Sequence, residues 1–161
     1  MLKKHLDDKL VLMRSRSFPS FYKHSSKRYS VTLGVGGNVG DVCRRLEKLC
    51  IFFKQDKICD LVQTGIILKN PPFGYLAQAD FYNSVILVKT NLQPQAFLKY
   101  ILEVERKFGR KRSFANAPRT LDIDMIFYED RKMNTQDLTL PHPAYQQRAS
   151  VLIPLGYMES R

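Results

Sequence analysis

The stretch Gly109-Arg-Lys-Arg-Ser-Phe-Ala-Asn-Ala-Pro-Arg-Thr-Leu-Asp-Ile-Asp-Met-Ile-Phe-Tyr128 decides how this chain is read. A basic cluster of Arg110, Lys111 and Arg112 leads through a loop to Pro118 and Arg119. The run from Leu121 to Tyr128 then has the β-branched and aromatic content of a strand. Residues two apart on a pleated strand share a face, so Asp122 and Asp124 stand roughly 6–7 Å apart at Cα, with Leu121, Ile123 and Met125 facing the other way. Two neighbouring carboxylates against an apolar interior resist ionisation unless a cation compensates them. That cation is either Arg119, in a strand-end salt bridge, or Mg²⁺, a hard ion usually shared between one or two carboxylates, water and substrate phosphates. In the second case the neighbouring arginines hold the remaining phosphate oxygens.

Composition bounds what surrounds this stretch. At 161 residues, 44% hydrophobic and 25% charged, the chain suits one domain with a real core. It has no apolar run of membrane-spanning length and no cleavable secretory signal. Cys43, Cys50 and Cys59 are odd in number and lack metal-ligand spacing, which fits free thiols in a reducing cytoplasm. The net charge is +11, and more than half of it lies in residues 1–29, which carry eight Lys or Arg against Asp7 and Asp8. This segment reads as a basic leader or flexible arm ahead of a single domain at 30–161. Leu2, Leu6 and Leu10 suggest a short amphipathic helix at its start. The basic balance invites a nucleic-acid reading, but an aromatic RNA-binding pattern is missing and a bare Asp122/Asp124 face repels phosphate.

Along the chain, Ser30 to Val35 reads as a strand running into Gly36-Gly37-Asn38-Val39-Gly40-Asp41. A helix follows, with Val42, Leu46, Leu49, Cys50 and Phe53 on its buried face. The glycines match neither a dinucleotide fingerprint nor a Walker loop and support only a tight turn. Ile58 to Leu68 is β-rich in part and ends at Asn70-Pro71-Pro72-Phe73-Gly74. Phe81 to Val88 is the next strand, with Asn83 as either a satisfied buried amide or a ligand reader. Pro94 opens a helix that closes at Gly109. After the Asp122/Asp124 strand come short edge pieces, Pro141-His142-Pro143, and a last helix between Ala144 and Met158 interrupted at Pro154. The order strand, helix, strand, strand, helix, strand predicts a ferredoxin-like α+β sandwich, a split βαβ with helices on one face of an antiparallel sheet.

The run Pro118-Arg-Thr-Leu-Asp-Ile-Asp124, with Gly109-Arg-Lys-Arg112 before it and Leu140-Pro-His142 and Arg148 after it, resembles the 6-hydroxymethyl-7,8-dihydropterin pyrophosphokinases of folate biosynthesis. Gly36-Gly37-Asn38 is similar to the family's glycine turn, and Asn70-Pro-Pro-Phe-Gly74 with Asp80-Phe-Tyr-Asn83 to its pterin-side loop and strand. The resemblance implies transfer of the β,γ-diphosphate of ATP to the pterin hydroxymethyl group, with AMP released. It further implies two Mg²⁺ ions on Asp122 and Asp124, and a catalytic set of these two with Arg110, Arg112 and Arg119. Glu105, His142 and Arg148 join those arginines in the ATP site, while Asn70, Pro71, Phe73, Phe81 and Asn83 form the pterin site. Partners are then ATP and a dihydropterin, with no nucleic acid and no membrane, for a monomer in the cytoplasm. The tryptophan usual in the family's second loop is absent, with Asn116 at that place and Phe114 nearby, and Ser150 stands where an aromatic is expected.

Overall fold

Leu12 and Met13 alternate between the two faces of a strand, and that alternation draws the first residues of the chain into the sheet. In the computed structural model, which describes residues 2–72, 74–111, 114 and 116–158, β1 (Leu2–His5) and β2 (Val11–Arg14) form an antiparallel hairpin. Its turn is held by Asp7, whose carboxylate accepts from the backbone N–H groups of Lys9 and Leu10 at 2.7 and 2.8 Å. Leu6 and Leu10 therefore close a turn instead of lining a helix, and β3 (Ser20–Phe21) follows.

Next come β4 (Tyr29–Gly37), α1 (Val42–Gln55), β5 (Cys59–Thr64), β6 (Ile67–Asn70), β7 (Phe81–Thr90) and α2 (Pro94–Lys107). The chain continues with β8 (Asp122–Tyr128), a small ladder of β9 (Met133–Asn134) and β10 (Thr139–Leu140), a 3-10 turn at Tyr145–Gln147, and α3 (Ala149–Leu155). The 3-10 turn delays the last helix, and Pro154 sits inside α3 rather than breaking it.

β4 is central, paired antiparallel with β7 on one side and β8 on the other. The C-terminal half of β7 pairs with β5, its N-terminal half with β6. The order β8-β4-β7-β5, with helices after β4 and β7, is the ferredoxin-like arrangement. β2 extends the sheet past β6, and β3 pairs with β5.

The expected loose arm is thus corrected: residues 2–21 supply three strands, and Phe18 is completely buried in the main core. Polar contacts fix its path, since the Ser15 hydroxyl donates to Glu47 at 2.5 Å and the Ser17 hydroxyl and N–H donate to the same carboxylate. Burying a phenylalanine contributes about 2–3 kcal/mol, enough to offset the ordering of a few residues.

One face of the sheet carries the main core. There Val31, Leu33 and Val35 of β4 meet Leu46, Leu49 and Phe53 of α1 and Phe97, Ile101 and Val104 of α2. Asp41 caps α1 by accepting from the Arg44 N–H at 3.1 Å, and Gly109, at φ +84°, ends α2. The opposite face is covered only in part by α3, whose Val151 packs on Val85 and Ile126. A bulge at Ile126, where Thr32 pairs with Phe127 but Leu33 with Met125, turns both Ile126 and Phe127 toward α3. The uncovered remainder of this face holds the site.

Candidate active site

The floor of the site is β4, and its glycines make room for it. Gly34 pairs with Val85 and Asp124, and Gly36 with Asn83 and Asp122, so the two glycines lie between the acids of β8 and the amide of β7. A Cβ on Gly36 would meet the Asn83 Oδ1 at 2.0 Å and the Tyr82 carbonyl at 2.7 Å, so only glycine fits. Around this floor lies a cleft, open to solvent and lined by Asn70, Phe81, Asn83, Arg119, Asp122 and Asp124, with Asn116, Arg148, Ser150 and Val151 at its walls.

Asp122 and Asp124 share one face of β8, as their spacing requires, while Ile123 and Met125 point into the core. The Arg119 guanidinium donates to the Asp122 Oδ2 at 2.9 Å, and the Arg110 Nε lies 4.0 Å from its Oδ1. Asp122 is thus charge-compensated within the chain. Asp124 is pushed up to about 7, first by burial, then by the charges of Asp122 and Glu105, against the weaker opposing pull of Arg148 and Arg119. No described side chain donates a hydrogen bond to it.

Glu105 does not reach the cleft. It is 1% exposed, on the α2 side of β8, and accepts from the Ile123 N–H at 2.7 Å. β8 is the last strand of the sheet, so this carboxylate satisfies a backbone donor on its free edge and fixes the height of the acidic pair.

His142 lies within electrostatic reach of Arg148 and Asp122. Its N–H donates to the Ile126 carbonyl at 2.9 Å and its Nδ1 accepts from the Ala144 N–H at 3.2 Å, which leaves Nε2 as the free ring nitrogen. Burial, then Arg148, depress its pKa, so the ring is held neutral against the smaller pull of Asp122.

The other end of the cleft is aromatic and amide-rich. Phe81 is 9% exposed, and the Arg119 guanidinium lies 5.4 Å from its ring centroid. The Asn83 amide donates to the Asn70 Oδ1 at 2.7 Å, and the Asn70 amide donates to the Pro71 carbonyl at 3.0 Å, which locks the buried Asn70 in place. Arg119 therefore touches both ends, ion-paired with Asp122 and stacked on Phe81. Arg112 and Phe73 lie outside the described residues.

Asn38 stood in the sequence only as part of the glycine turn. It is 8% exposed and joins three loops: its amide donates to Gln78 and the Ala79 carbonyl, and its Oδ1 accepts from the Arg119 N–H, at 2.8, 2.9 and 2.9 Å. Gln78 passes the link on by donating to the Asn116 carbonyl at 2.9 Å, and the Tyr75 and Phe114 rings meet edge to face at 5.5 Å. The signal for Gly34 and Gly36 was their period of two, which puts both on one strand face. Asn38 and Gln78 gave no such signal, because their partners are distant in sequence.

A paired-carboxylate ridge flanked by arginines, continuous with a planar pocket on a ferredoxin-like sheet, is the equipment of a phosphoryl-group-handling enzyme. Comparison with known proteins specifies which. Residues 32–160 match the family model described as 7,8-dihydro-6-hydroxymethylpterin-pyrophosphokinase. Two proteins named 2-amino-4-hydroxy-6-hydroxymethyldihydropteridine pyrophosphokinase are similar along nearly their whole length. The one from Helicobacter pylori is 40% identical over 92% of this chain and 93% of its own, and the one from Campylobacter jejuni 38% over 89% and 92%. An Aquifex aeolicus protein of the same name is 36% identical over 81% of this chain and 80% of its own. The chain belongs to the 6-hydroxymethyl-7,8-dihydropterin pyrophosphokinase family, and its activity is that of a pyrophosphokinase of folate biosynthesis.

Proposed function

We propose that the cleft transfers the β,γ-diphosphate of ATP to the hydroxymethyl oxygen of 6-hydroxymethyl-7,8-dihydropterin, releasing AMP. The observation that carries this reading is the continuity of one cleft from Asp122 and Asp124 to Phe81, Asn83 and Asn70. A phosphate chain at one end and a planar ring at the other would meet over Gly34 and Gly36.

The acid pair fits Mg²⁺ by its donor chemistry. Among the described residues no cluster of three or more His, Cys, Asp or Glu could enclose a metal, so Asp122 and Asp124 supply two hard oxygen ligands and leave the rest to water and phosphate. Two ions on this pair, when bound, would draw charge from the phosphate oxygens and orient the chain. Arg110, Arg119 and Arg148 carry positive charge toward the same oxygens, with Arg112 proposed beside them on its place in the motif. Neutral His142 donates from Nε2 rather than adding charge.

On the acceptor side Phe81 offers a ring face once Arg119 leaves it for phosphate, and Asn83 and Asn70 offer amide donors and acceptors to a pterin edge. Pro71 and Phe73 belong to the rim of this pocket by motif. Glu105 acts through β8 instead of touching ATP. The free thiols of Cys43, Cys50 and Cys59 suit a cytoplasmic enzyme, and among the described residues no helix is long and apolar enough to cross a membrane. We take the working unit to be a monomer.

Two variants test the division of the cleft. Phe81→Ala should raise the KM for the pterin by roughly tenfold or more and leave the KM for ATP within about twofold. Asp122→Asn should lower kcat by roughly a hundredfold or more with pterin binding intact. Equal effects of both variants on both substrates would contradict a two-ended cleft.

A further inference from the structure

Helix α3 divides the second face of the sheet. Ser150 and Val151 at its start line the substrate cleft, whereas Tyr157, just past its end, lines a separate open recess with Arg14, Ser20, Phe21 and Gln63. Nothing in the pyrophosphokinase reaction uses this recess.

Its floor contains a polar group. Gln63 on β5 is only 7% exposed, yet its side-chain amide has no hydrogen-bond partner among the described residues. The neighbouring Thr64 is satisfied by contrast, since its hydroxyl accepts from the Ser20 N–H at 2.9 Å and donates to the Ser17 carbonyl at 2.5 Å. An amide that opens on a recess and makes no hydrogen bond within the chain is available to a ligand or water there.

The rim has a definite charge and shape. The Arg14 guanidinium lies 5.8 Å from the centroid of the Tyr157 ring and makes no ion pair among the described residues. Lys4, which pairs across the hairpin with Leu12, lines an adjoining recess that shares Arg14 and Tyr157. No Asp or Glu among the described residues lines either recess. Unpaired cations beside exposed ring surface favour an anion, and a stacked guanidinium keeps its in-plane N–H groups free for a carboxylate or phosphate.

We infer that this recess is a second ligand site, for a small planar aromatic acid. The acid group pairs with Arg14 in the added field of Lys4, the ring lies against Tyr157, and a polar ring substituent bonds to the Gln63 amide.

The probe is 4-hydroxybenzoate, titrated into the full-length ¹⁵N-labelled protein at constant ionic strength, with cyclohexanecarboxylate as the non-aromatic comparison. Saturable shifts of the Gln63 side-chain NH₂ and of the Ser20, Thr64 and Tyr157 amides, with Kd on the order of 1 mM or tighter, are expected, with Gly34 and Asn83 unmoved. Arg14→Ala, at an exposed position that should leave the rest of the spectrum unchanged, should weaken binding roughly tenfold or more, and Gln63→Leu should do the same. Shifts that do not saturate, that survive Arg14→Ala, that centre on the substrate cleft, or that cyclohexanecarboxylate reproduces at equal concentration would overturn the assignment. An amide merely hydrated by water gives the first of these results.

Discussion

Gly36→Ala is the smallest change that reaches the acceptor end of the cleft without touching a charged group. The new methyl would stand 2.0 Å from the Asn83 Oδ1 and 2.7 Å from the Tyr82 carbonyl, both far inside van der Waals contact. The Tyr82 carbonyl belongs to the β4–β7 ladder, where Gly36 is paired with Asn83 and Gly37 with Tyr82, so it cannot move far. Asn83 must therefore rotate, which breaks its 2.7 Å hydrogen bond to Asn70. Overpacking of this kind costs about 1–3 kcal/mol, and a lost side-chain hydrogen bond adds about 1 kcal/mol. For a domain of this size the sum lowers Tm by roughly 4–16 °C. If the rotated amide no longer reads the pterin edge, the same 1 kcal/mol or so raises the KM for the pterin by roughly fivefold. The KM for ATP should change by less than about twofold, because Asp122, Asp124 and Arg119 keep their positions. Thermal melts and steady-state kinetics on the purified variant measure both quantities. A variant with unchanged Tm and unchanged pterin KM would refute the claim that Gly36 is required by Asn83.

Further predictions follow from burial and charge. Asp124 has its folded pKa raised from 3.8 to about 7, so the metal-free folded state holds a proton that the unfolded chain has lost; stability should fall as pH rises from about 4 to 7. Asp124→Asn should flatten that slope in melts without Mg²⁺, and a wild-type Tm that rises across the same window would contradict it. Glu105→Gln keeps an acceptor for the Ile123 N–H but removes a charge, so the Asp124 carboxyl should titrate at lower pH by ¹³C NMR; an unmoved titration would mean Glu105 acts by packing alone. Phe18→Ala should cost about 3–5 kcal/mol in urea denaturation, and a loss under about 1 kcal/mol would mean that residues 2–21 only rest on the sheet.

The helices and central strands were legible because their patterns are local. Val42, Leu46, Leu49, Cys50 and Phe53 state a helix face by spacing alone, and all five are buried in α1. The facing of Asp122 and Asp124 was legible for the same reason, since it depends only on the pleat. The N-terminal segment misled because Leu2, Leu6 and Leu10 have a helical interval whereas Asp7 makes the turn, and the strand partners in β6 lie some fifty residues away. Glu105 sat next to the basic motif in sequence, but the helical phase that puts Val104 in the core also puts Glu105 under β8. The Asn38 and Gln78 contacts depend on three loops meeting, and no sequence period encodes that.

The most direct test of the account is the nucleotide product formed from Mg·ATP with and without 6-hydroxymethyl-7,8-dihydropterin. The cleft described here predicts AMP, formed only with the pterin and in equal amount to the pterin diphosphate. ADP as the product, or AMP formed at the same rate without the pterin, would contradict diphosphate transfer between the two ends of one cleft.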